Sequence, residues 1–201
     1  MIDRREILET ASSFSLLPNV VEKDYVLGWV LAGINAHEAL SDGWVFKGGA
    51  CLKKCYFETY RFSEDLDFTP RVETNINADF LRPVLEEVVG WVAEQSGLLI
   101  PADQLEFDVY ENPRGRLNCQ GKIAYRGPVS PTSGGWPKIK LDLTADERLV
   151  LPSVRRRGRQ DDPIDPSPRG CEHHDGVLRS TRSSRRQARF EKADRRDAEK
   201  V

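Results

Sequence analysis

The chain of 201 residues is predicted to adopt an α+β fold. Three observations support this class. Apolar residues at helical spacing occur near the N-terminus, a long amphipathic segment lies in the middle, and three strand-like segments follow one another after residue 104. Helices and strands therefore come largely in separate runs rather than as regular βαβ units. This order predicts a mixed or antiparallel sheet flanked by helices.

The N-terminal part is predicted to form two helices. The first has four apolar residues at helical spacing: Ile7, Leu8, Ala11 and Phe14. Pro18 and Asn19 break this pattern, and Asn19 is a good N-cap for a second helix that runs to Ile34. The apolar stripe of this second helix comprises Val21, Tyr25, Gly28 with Trp29, and Ala32.

The next segment reads as strand, glycine turn, helix and strand. After the turn at 41–43, residues 44–46 are apolar and predict a short buried strand that ends in Lys47-Gly48-Gly49. Residues 50–60 have a helical pattern that directly follows the double glycine. Residues 61–69 follow, and their second half alternates acidic and apolar residues as a half-buried strand does.

The longest helical pattern spans residues 76–96. Its apolar face is predicted to comprise Phe80, Val84, Val88 and Trp91, and Gly97 ends it. Segments 105–110, 117–125 and 138–144 then read as strands. Clusters of Gly, Pro, Asn and Ser separate them, so we expect these strands to be antiparallel neighbours.

Composition divides the chain at about residue 153. The formal charge is −2 overall, but residues 154–201 contain 14 basic and 9 acidic side chains, and 12 of the basic residues are Arg. Only 10 of these 48 residues are apolar, too few to offset the entropy lost on ordering them. We therefore expect one folded domain over 1–153 and a disordered tail over 154–201.

Membrane and secreted classes are not expected. No apolar stretch approaches the roughly 18 to 20 residues that span a bilayer, and the N-terminus lacks the pattern of a secretory signal. The four cysteines form no CxxC pair, which favours reduced thiols in a cytoplasmic protein.

Three carboxylates are predicted to face one another. Asp65 and Asp67 are two apart on a strand and point to one face, and Asp142 points away from the apolar residues of its own strand. If the two strands are neighbours, the carboxylates converge and would repel one another unless a divalent metal bound them. Mg²⁺ prefers oxygen ligands, and two ions can share a carboxylate. The alternative is an acidic face on a solvent-exposed edge strand.

Gly48 and Gly49 lie between the predicted strand and helix. Such a junction lets a phosphate group approach free backbone N–H groups at a helix N-terminus. A tight structural turn would need the same two glycines. Together with the Asp-x-Asp strand, however, the order is suited to binding a nucleoside triphosphate and its metal ions.

These motifs resemble the signature of the AbiEii/AbiGii toxin family. The resemblance is carried by Phe46-Lys47-Gly48-Gly49-Ala50-Cys51-Leu52 and Arg61-Phe62-Ser63-Glu64-Asp65-Leu66-Asp67-Phe68. Glu22-Lys23-Asp24-Tyr25 and Ile139-Lys140-Leu141-Asp142-Leu143-Thr144 fit the same order, so it covers about residues 18 to 152. It implies a polymerase-β-like nucleotidyltransferase fold and a toxin that acts beside a cognate antitoxin. It also implies nucleotide transfer from a nucleoside triphosphate to an acceptor, with tRNA as one acceptor class.

The resemblance also implies a role for each matching residue. Asp65 and Asp67 would bind two Mg²⁺ ions. Asp142 would complete the metal ligands and either help to deprotonate the acceptor hydroxyl or lower the pKa of that hydroxyl through the metal. Gly48, Gly49 and Ser63 would contact phosphate. The basic residues Lys47 and Arg61 either neutralise phosphate charge or form structural ion pairs.

After Pro152 the chain departs from the family, which continues with a helical C-terminal part. A shifted reading frame would explain the Arg-rich composition, and the product would then be a catalytic half without its partner half. The alternative function is accordingly a catalytically inactive family member that binds the antitoxin or RNA. A metal-dependent phosphohydrolase that uses the same carboxylates is a more distant alternative.

Overall fold

The computed structural model describes residues 2–56, 63–131 and 133–147. The predicted tail over 154–201 therefore lies outside the described residues, and so does Arg61. Among the helices of the described part, none has both the length and the apolar character needed to cross a membrane.

Five α-helices and five strands make up the described fold. The helices are α1 Arg4–Ser13, α2 Pro18–Ala36, α3 Glu38–Ser41, α4 Gly48–Cys55 and α5 Ala78–Ser96. The strands are β1 Trp44–Lys47, β2 Asp65–Pro70, β3 Leu105–Glu111, β4 Leu117–Ala124 and β5 Lys138–Thr144. Short 3₁₀ helices at Glu73–Asn75 and Ala102–Gln104 precede α5 and β3. The α+β prediction is confirmed.

The strands form one mixed sheet in the order β1-β2-β5-β4-β3. The pairs β1–β2, β5–β4 and β4–β3 are antiparallel, as predicted for the last three strands. The pair β2–β5 is parallel. The last strand is thus inserted beside β2, and this brings two distant parts of the sequence together at the centre of the sheet.

One face of the sheet carries the core and the other carries charged side chains. On β5, Ile139, Leu141 and Leu143 are buried, whereas Lys138 and Lys140 are exposed. The buried strand residues belong to one continuous apolar cluster with α2 and α5. The helices α2 and α5 pack against each other and contact the sheet through β2 and β3 respectively.

The long helix α5 ends where predicted but begins at Ala78, two residues after the predicted start, and its apolar face is rotated. The Asn77 side chain accepts a hydrogen bond from the Phe80 backbone N–H at 2.8 Å, and Gly97 ends the helix with φ +71°. Its buried apolar residues are Leu81, Leu85, Val88, Val89 and Val92. Of the predicted face only Val88 is buried, because the apolar arc is wider than one stripe and its other members pack at the edge of the core.

Several predicted boundaries were wrong by a few residues. Helix α2 begins at Pro18 with Leu17 as N-cap, so Asn19 lies inside it, and Pro at the first helical position explains the shift. Helix α4 begins at Gly48 rather than at residue 50. In α1, Leu8 and Phe14 are 41% and 46% exposed, since only Ile7 and Ala11 of the predicted stripe are buried.

Candidate active site

The three predicted carboxylates lie on the two central strands of the sheet. Because β2 and β5 are parallel neighbours, Asp67 lies directly opposite Asp142, and Asp65 lies opposite Lys140. Strand alternation buries Leu66 and Phe68, so Asp65 and Asp67 share the other face of the sheet. The prediction that the two strands are neighbours is confirmed, and neither is an edge strand. That the three carboxylates bind metal together stays a prediction.

Asp67 and Asp142 belong to a row of residues that crosses all five strands. The row consists of Lys47, Asp67, Asp142, Gln120 and Asp108, each opposite the next in strand register. Residues in such a row point to the same face of a sheet. A lysine, two carboxylates, an amide and a third carboxylate are therefore held in sequence across the face of the sheet opposite the apolar core.

Burial and mutual repulsion raise the pKa of two of these carboxyl groups. For Asp67 the larger cause is burial, followed by the negative charge of Asp142, and Lys47 opposes both. For Asp142 burial again comes first, followed by the charge of Asp65. Their ionised forms are therefore disfavoured in the absence of a compensating cation.

The donor set fits a hard divalent cation such as Mg²⁺ in its chemistry. All three side chains offer carboxylate oxygens, and the Oδ1 atom of Asp65 is buried without a hydrogen-bond partner among the described residues. Within the described ranges, however, no three His, Cys, Asp or Glu side chains already stand in an arrangement that could hold a metal ion. Side-chain rotation on the fixed strands would have to complete a ligand set.

The double glycine brings the backbone close to the carboxylates. Gly48 has φ +74°, and a Cβ atom there would lie 2.0 Å from the Oδ2 atom of Asp67. Beside it, a Cβ atom on Gly49 would lie 3.3 Å from the Ser63 hydroxyl oxygen. Gly48 is also the first residue of α4, whose N-terminus receives no side-chain cap from Lys47. The N-terminus of α4, with the free backbone N–H groups of its first turn, thus lies next to Asp67 and Ser63.

Lys47 forms an ion pair with Glu147, with 2.8 Å between Nζ and Oε2. An ion pair is one of the two alternatives predicted for Lys47, and the other, neutralisation of phosphate charge, stays a prediction. The Lys47 side chain is 22% exposed and that of Glu147 is 54% exposed, so the pair remains accessible to solvent and to other anions.

A cavity of about 480 Å³ opens over this row. It is lined by Lys47, Gly48, Asp67, Tyr110, Cys119, Gln120, Asp142, Leu143, Thr144 and Glu147. Sequence analysis missed Tyr110, Gln120, Thr144 and Glu147. Alternation from Asp142 could have indicated Thr144. Tyr110 and Gln120 are placed only by strand pairing and Glu147 only by the path of the chain after β5.

Three consecutive residues of α2 connect the site to its surroundings. Glu22 is buried and accepts hydrogen bonds from the backbone N–H groups of Val129 and Ser130 at 2.6 and 3.0 Å, and from the Ser130 hydroxyl at 2.7 Å. Lys23 donates to Glu64, just before the first carboxylate of β2, at 2.8 Å. These contacts explain the acidic and basic residues of the Glu-Lys-Asp motif as positioning residues.

Asp24, the third of these residues, anchors α4. Its two carboxylate oxygens accept hydrogen bonds from Lys53 Nζ and Lys54 Nζ, both at 2.8 Å, and all three side chains are almost completely buried. Burial lowers the pKa of Lys53 to about 8, although the charge of Asp24 acts in the opposite direction. The ion triad thus holds the glycine-led helix against α2.

A larger cavity, about 640 Å³, lies among α2, α3 and α5. His37 and Glu87 form a hydrogen bond across it at 3.1 Å, and the His37 ring also caps α3. The lining of this cavity includes Glu38 and Glu87 but none of the three predicted carboxylates and neither residue of the glycine turn. The smaller cavity over the sheet is therefore the better candidate for an active site.

Comparison with known protein families gives a match over residues 29–168, well over half of the chain. The matching family is described as nucleotidyl transferase AbiEii toxin of type IV toxin–antitoxin systems. The match includes the glycine turn, the Asp-x-Asp strand and Asp142. It begins after the Glu-Lys-Asp motif of α2 and ends beyond the predicted boundary at residue 153. A search of curated proteins finds no match.

Proposed function

The chain belongs to the AbiEii nucleotidyl transferase toxin family, and from this premise we propose that it transfers a nucleotide from a nucleoside triphosphate to an acceptor in a metal-dependent reaction. A toxin of this family implies a cognate antitoxin as partner. The observation that supports the proposed reaction is the contact between the glycine turn and the carboxylate row, in which Gly48 lies against Asp67 and Asp67 lies opposite Asp142.

The triphosphate would bind at the glycine turn. The backbone N–H groups that start α4 point toward an incoming anion with the positive end of the helix dipole behind them, and the Ser63 hydroxyl lies beside Gly49. Lys47 would exchange Glu147 for a phosphate oxygen. Arg61 is assigned to phosphate by the resemblance alone, since it lies outside the described residues.

Asp65, Asp67 and Asp142 would hold two Mg²⁺ ions. When bound, these ions would neutralise the charge of the phosphates and favour ionisation of the acceptor hydroxyl. The hydroxyl oxygen forms a bond to the α-phosphorus, the bond from that phosphorus to the bridging oxygen of the β-phosphate breaks, and pyrophosphate leaves. The Asp142 carboxylate accepts the hydroxyl proton.

The acceptor class we propose is tRNA. The experiment combines the purified full chain, Mg²⁺, total tRNA and each radiolabelled nucleoside triphosphate in turn. We expect label to move from one triphosphate to RNA with the wild type and not with Asp67→Asn. Asp103→Asn is the matched control, because Asp103 is exposed and lies outside the cavity. Labelling by Asp67→Asn at the wild-type rate would contradict the proposed reaction.

A second function is a catalytically inactive protein that binds the antitoxin or RNA. It is favoured by the lack, in the described part of the chain, of three ligand side chains already arranged around a metal position. The two functions predict different effects of a nucleoside triphosphate on the unfolding temperature of the protein. The transferase requires Mg²⁺ for the triphosphate to raise this temperature, and the binding protein does not. We expect Mg²⁺-dependent protection that Asp65→Asn removes. Protection without Mg²⁺, or none, would favour the binding protein.

A further inference from the structure

The proposed position of the triphosphate groups is at one end of the cavity. Lys47 and Gly48 lie at one end of the carboxylate row, and Asp67 and Asp142 lie in the middle. Beyond Asp142 the row continues to Gln120 on β4, and the cavity extends to Tyr110 on β3. An acceptor hydroxyl must approach the α-phosphorus opposite the leaving pyrophosphate, so the space beyond Asp142 is available to the acceptor.

Tyr110 and Gln120 present unused binding groups to this space. Tyr110 is 42% exposed although it is aromatic, and its register neighbours are Asn118 and, one strand farther, Thr144. Gln120 is also exposed. Neither side chain makes a hydrogen bond to another residue of the described part. An open aromatic ring next to a free amide group can stack on a planar base and hydrogen-bond its edge.

Charge on the same face of the sheet indicates how a nucleic acid would lie. The neighbouring row lies on the other side of the carboxylate row from Tyr110. It runs Asp65, Lys140, Lys122 and Glu106, so two lysines stand opposite each other between two carboxylates. Lys122 is 3.7 Å from Glu106, and Lys140 makes no ion pair with any described residue. At the far end of the carboxylate row, Asp108 would repel phosphate. A base therefore fits beside Tyr110 and Gln120, and the backbone phosphates fit over the two lysines.

We propose that Tyr110 and Gln120 form the acceptor subsite and that it binds the unpaired terminal base of a single-stranded nucleic-acid end. The Tyr110 ring stacks on the base, and the Gln120 amide forms hydrogen bonds with the edge of the base. Lys140 and Lys122 attract the phosphates that precede this terminal nucleotide in the strand. This places the terminal hydroxyl next to Asp142. The proposal rests on the proposed nucleotidyl transfer, because that reaction requires an acceptor in this half of the cavity.

The test measures binding of a short fluorescein-labelled single-stranded RNA to the full chain by fluorescence anisotropy, without a triphosphate. We expect Tyr110→Ala to weaken binding about tenfold or more and Tyr110→Phe to retain it, because the phenyl ring still stacks. Gln120→Ala should reduce the preference among RNAs that differ in the 3′-terminal base. Tyr56→Ala is the matched control, since Tyr56 is 52% exposed and lies outside the cavity.

A second readout separates this subsite from the proposed reaction. With labelled triphosphate, Tyr110→Ala should raise the KM for RNA and leave the KM for the triphosphate unchanged, which also shows that the variant is folded. Equal RNA affinity of the wild type and Tyr110→Ala would overturn the subsite, as would label transfer to protein rather than RNA. Tyr110-dependent RNA binding without any transfer would support the subsite and contradict the reaction.

Discussion

Gly48 and Asp67 touch in a way that allows no side chain at the glycine. A Cβ atom on Gly48 would lie 2.0 Å from the Asp67 Oδ2 atom, and the φ of +74° at Gly48 is itself unfavourable for other residues. The N-terminus of α4 therefore packs directly against the carboxylate row at Gly48. This contact ties the predicted phosphate-binding turn to the predicted metal ligands.

Gly48→Ala should abolish nucleotide binding and destabilise the fold, because the methyl group displaces either Asp67 or the glycine turn. We expect a loss of more than about 2 kcal/mol in the free energy of unfolding, measured with urea. Gly115→Ala separates the two causes. Gly115 has φ +69° but nothing within 4 Å of its Cβ position, so it should lose only about 1–2 kcal/mol. Equal losses in the two variants would contradict the steric argument.

Asp67→Asn should stabilise the protein while it abolishes transfer. Its pKa is raised by burial and by Asp142, so the folded protein binds this proton more readily than the unfolded chain does. The contribution of Asp67 to stability therefore falls as pH rises above 3.8 toward the folded pKa, and the neutral amide removes this penalty. We expect at least a hundredfold lower transfer (an order-of-magnitude estimate) and a higher unfolding temperature at neutral pH. A less stable Asp67→Asn would contradict the electrostatic argument.

Asp24→Asn should destabilise the protein by about 3–5 kcal/mol, because it leaves Lys53 and Lys54 buried without their shared carboxylate. Urea unfolding measures this change. Glu9→Gln is the matched control, since the Arg5–Glu9 pair is exposed and should contribute at most about 0.5 kcal/mol. Similar losses in both variants would show that the buried triad does not anchor α4.

The stability of the wild type should rise with pH above 8 relative to a Lys53→Gln variant. The pKa of Lys53 in the folded protein is about 8 against an ordinary value of 10.5, so between these values the unfolded chain binds more protons. The free energy of unfolding therefore increases with pH in this window, and the penalty for the buried charge is fully present below it. Urea unfolding of both proteins across the window measures the difference. Parallel pH profiles would contradict the lowered pKa.

Glu147→Gln should tighten binding of a nucleoside triphosphate about two- to fivefold, because the Glu147 carboxylate competes with phosphate for Lys47. Isothermal titration calorimetry with Mg²⁺ measures the affinity. Lys47→Gln should weaken the same binding, and the double variant should resemble Lys47→Gln. Weaker binding by Glu147→Gln would show instead that the ion pair positions Lys47 for the phosphate.

The order of helices and strands could be read from the sequence because it depends on local patterns. The strands over 105–111, 117–124 and 138–144 were predicted almost to the residue, since alternation and turn residues bound each of them. The starts of α2 and α4 were missed, because their N-caps, Leu17 and Lys47, are residue types that do not mark a helix start in the sequence. The face of α5 was misplaced because the helix has more apolar residues than one stripe can hold.

Local sequence patterns specify the chemical groups of the site and their spacing along the chain: the double glycine, Asp65 and Asp67 on one strand face, and Asp142 on another strand. The parallel pairing of β5 with β2, which sets Asp67 opposite Asp142 and aligns Gln120 with them, is visible only in the folded protein. The same holds for the contact between Glu147 and Lys47 and for the place of Tyr110 in the cavity lining. Local patterns arise from neighbouring residues, whereas strand order and register arise from packing between residues that are far apart in the chain.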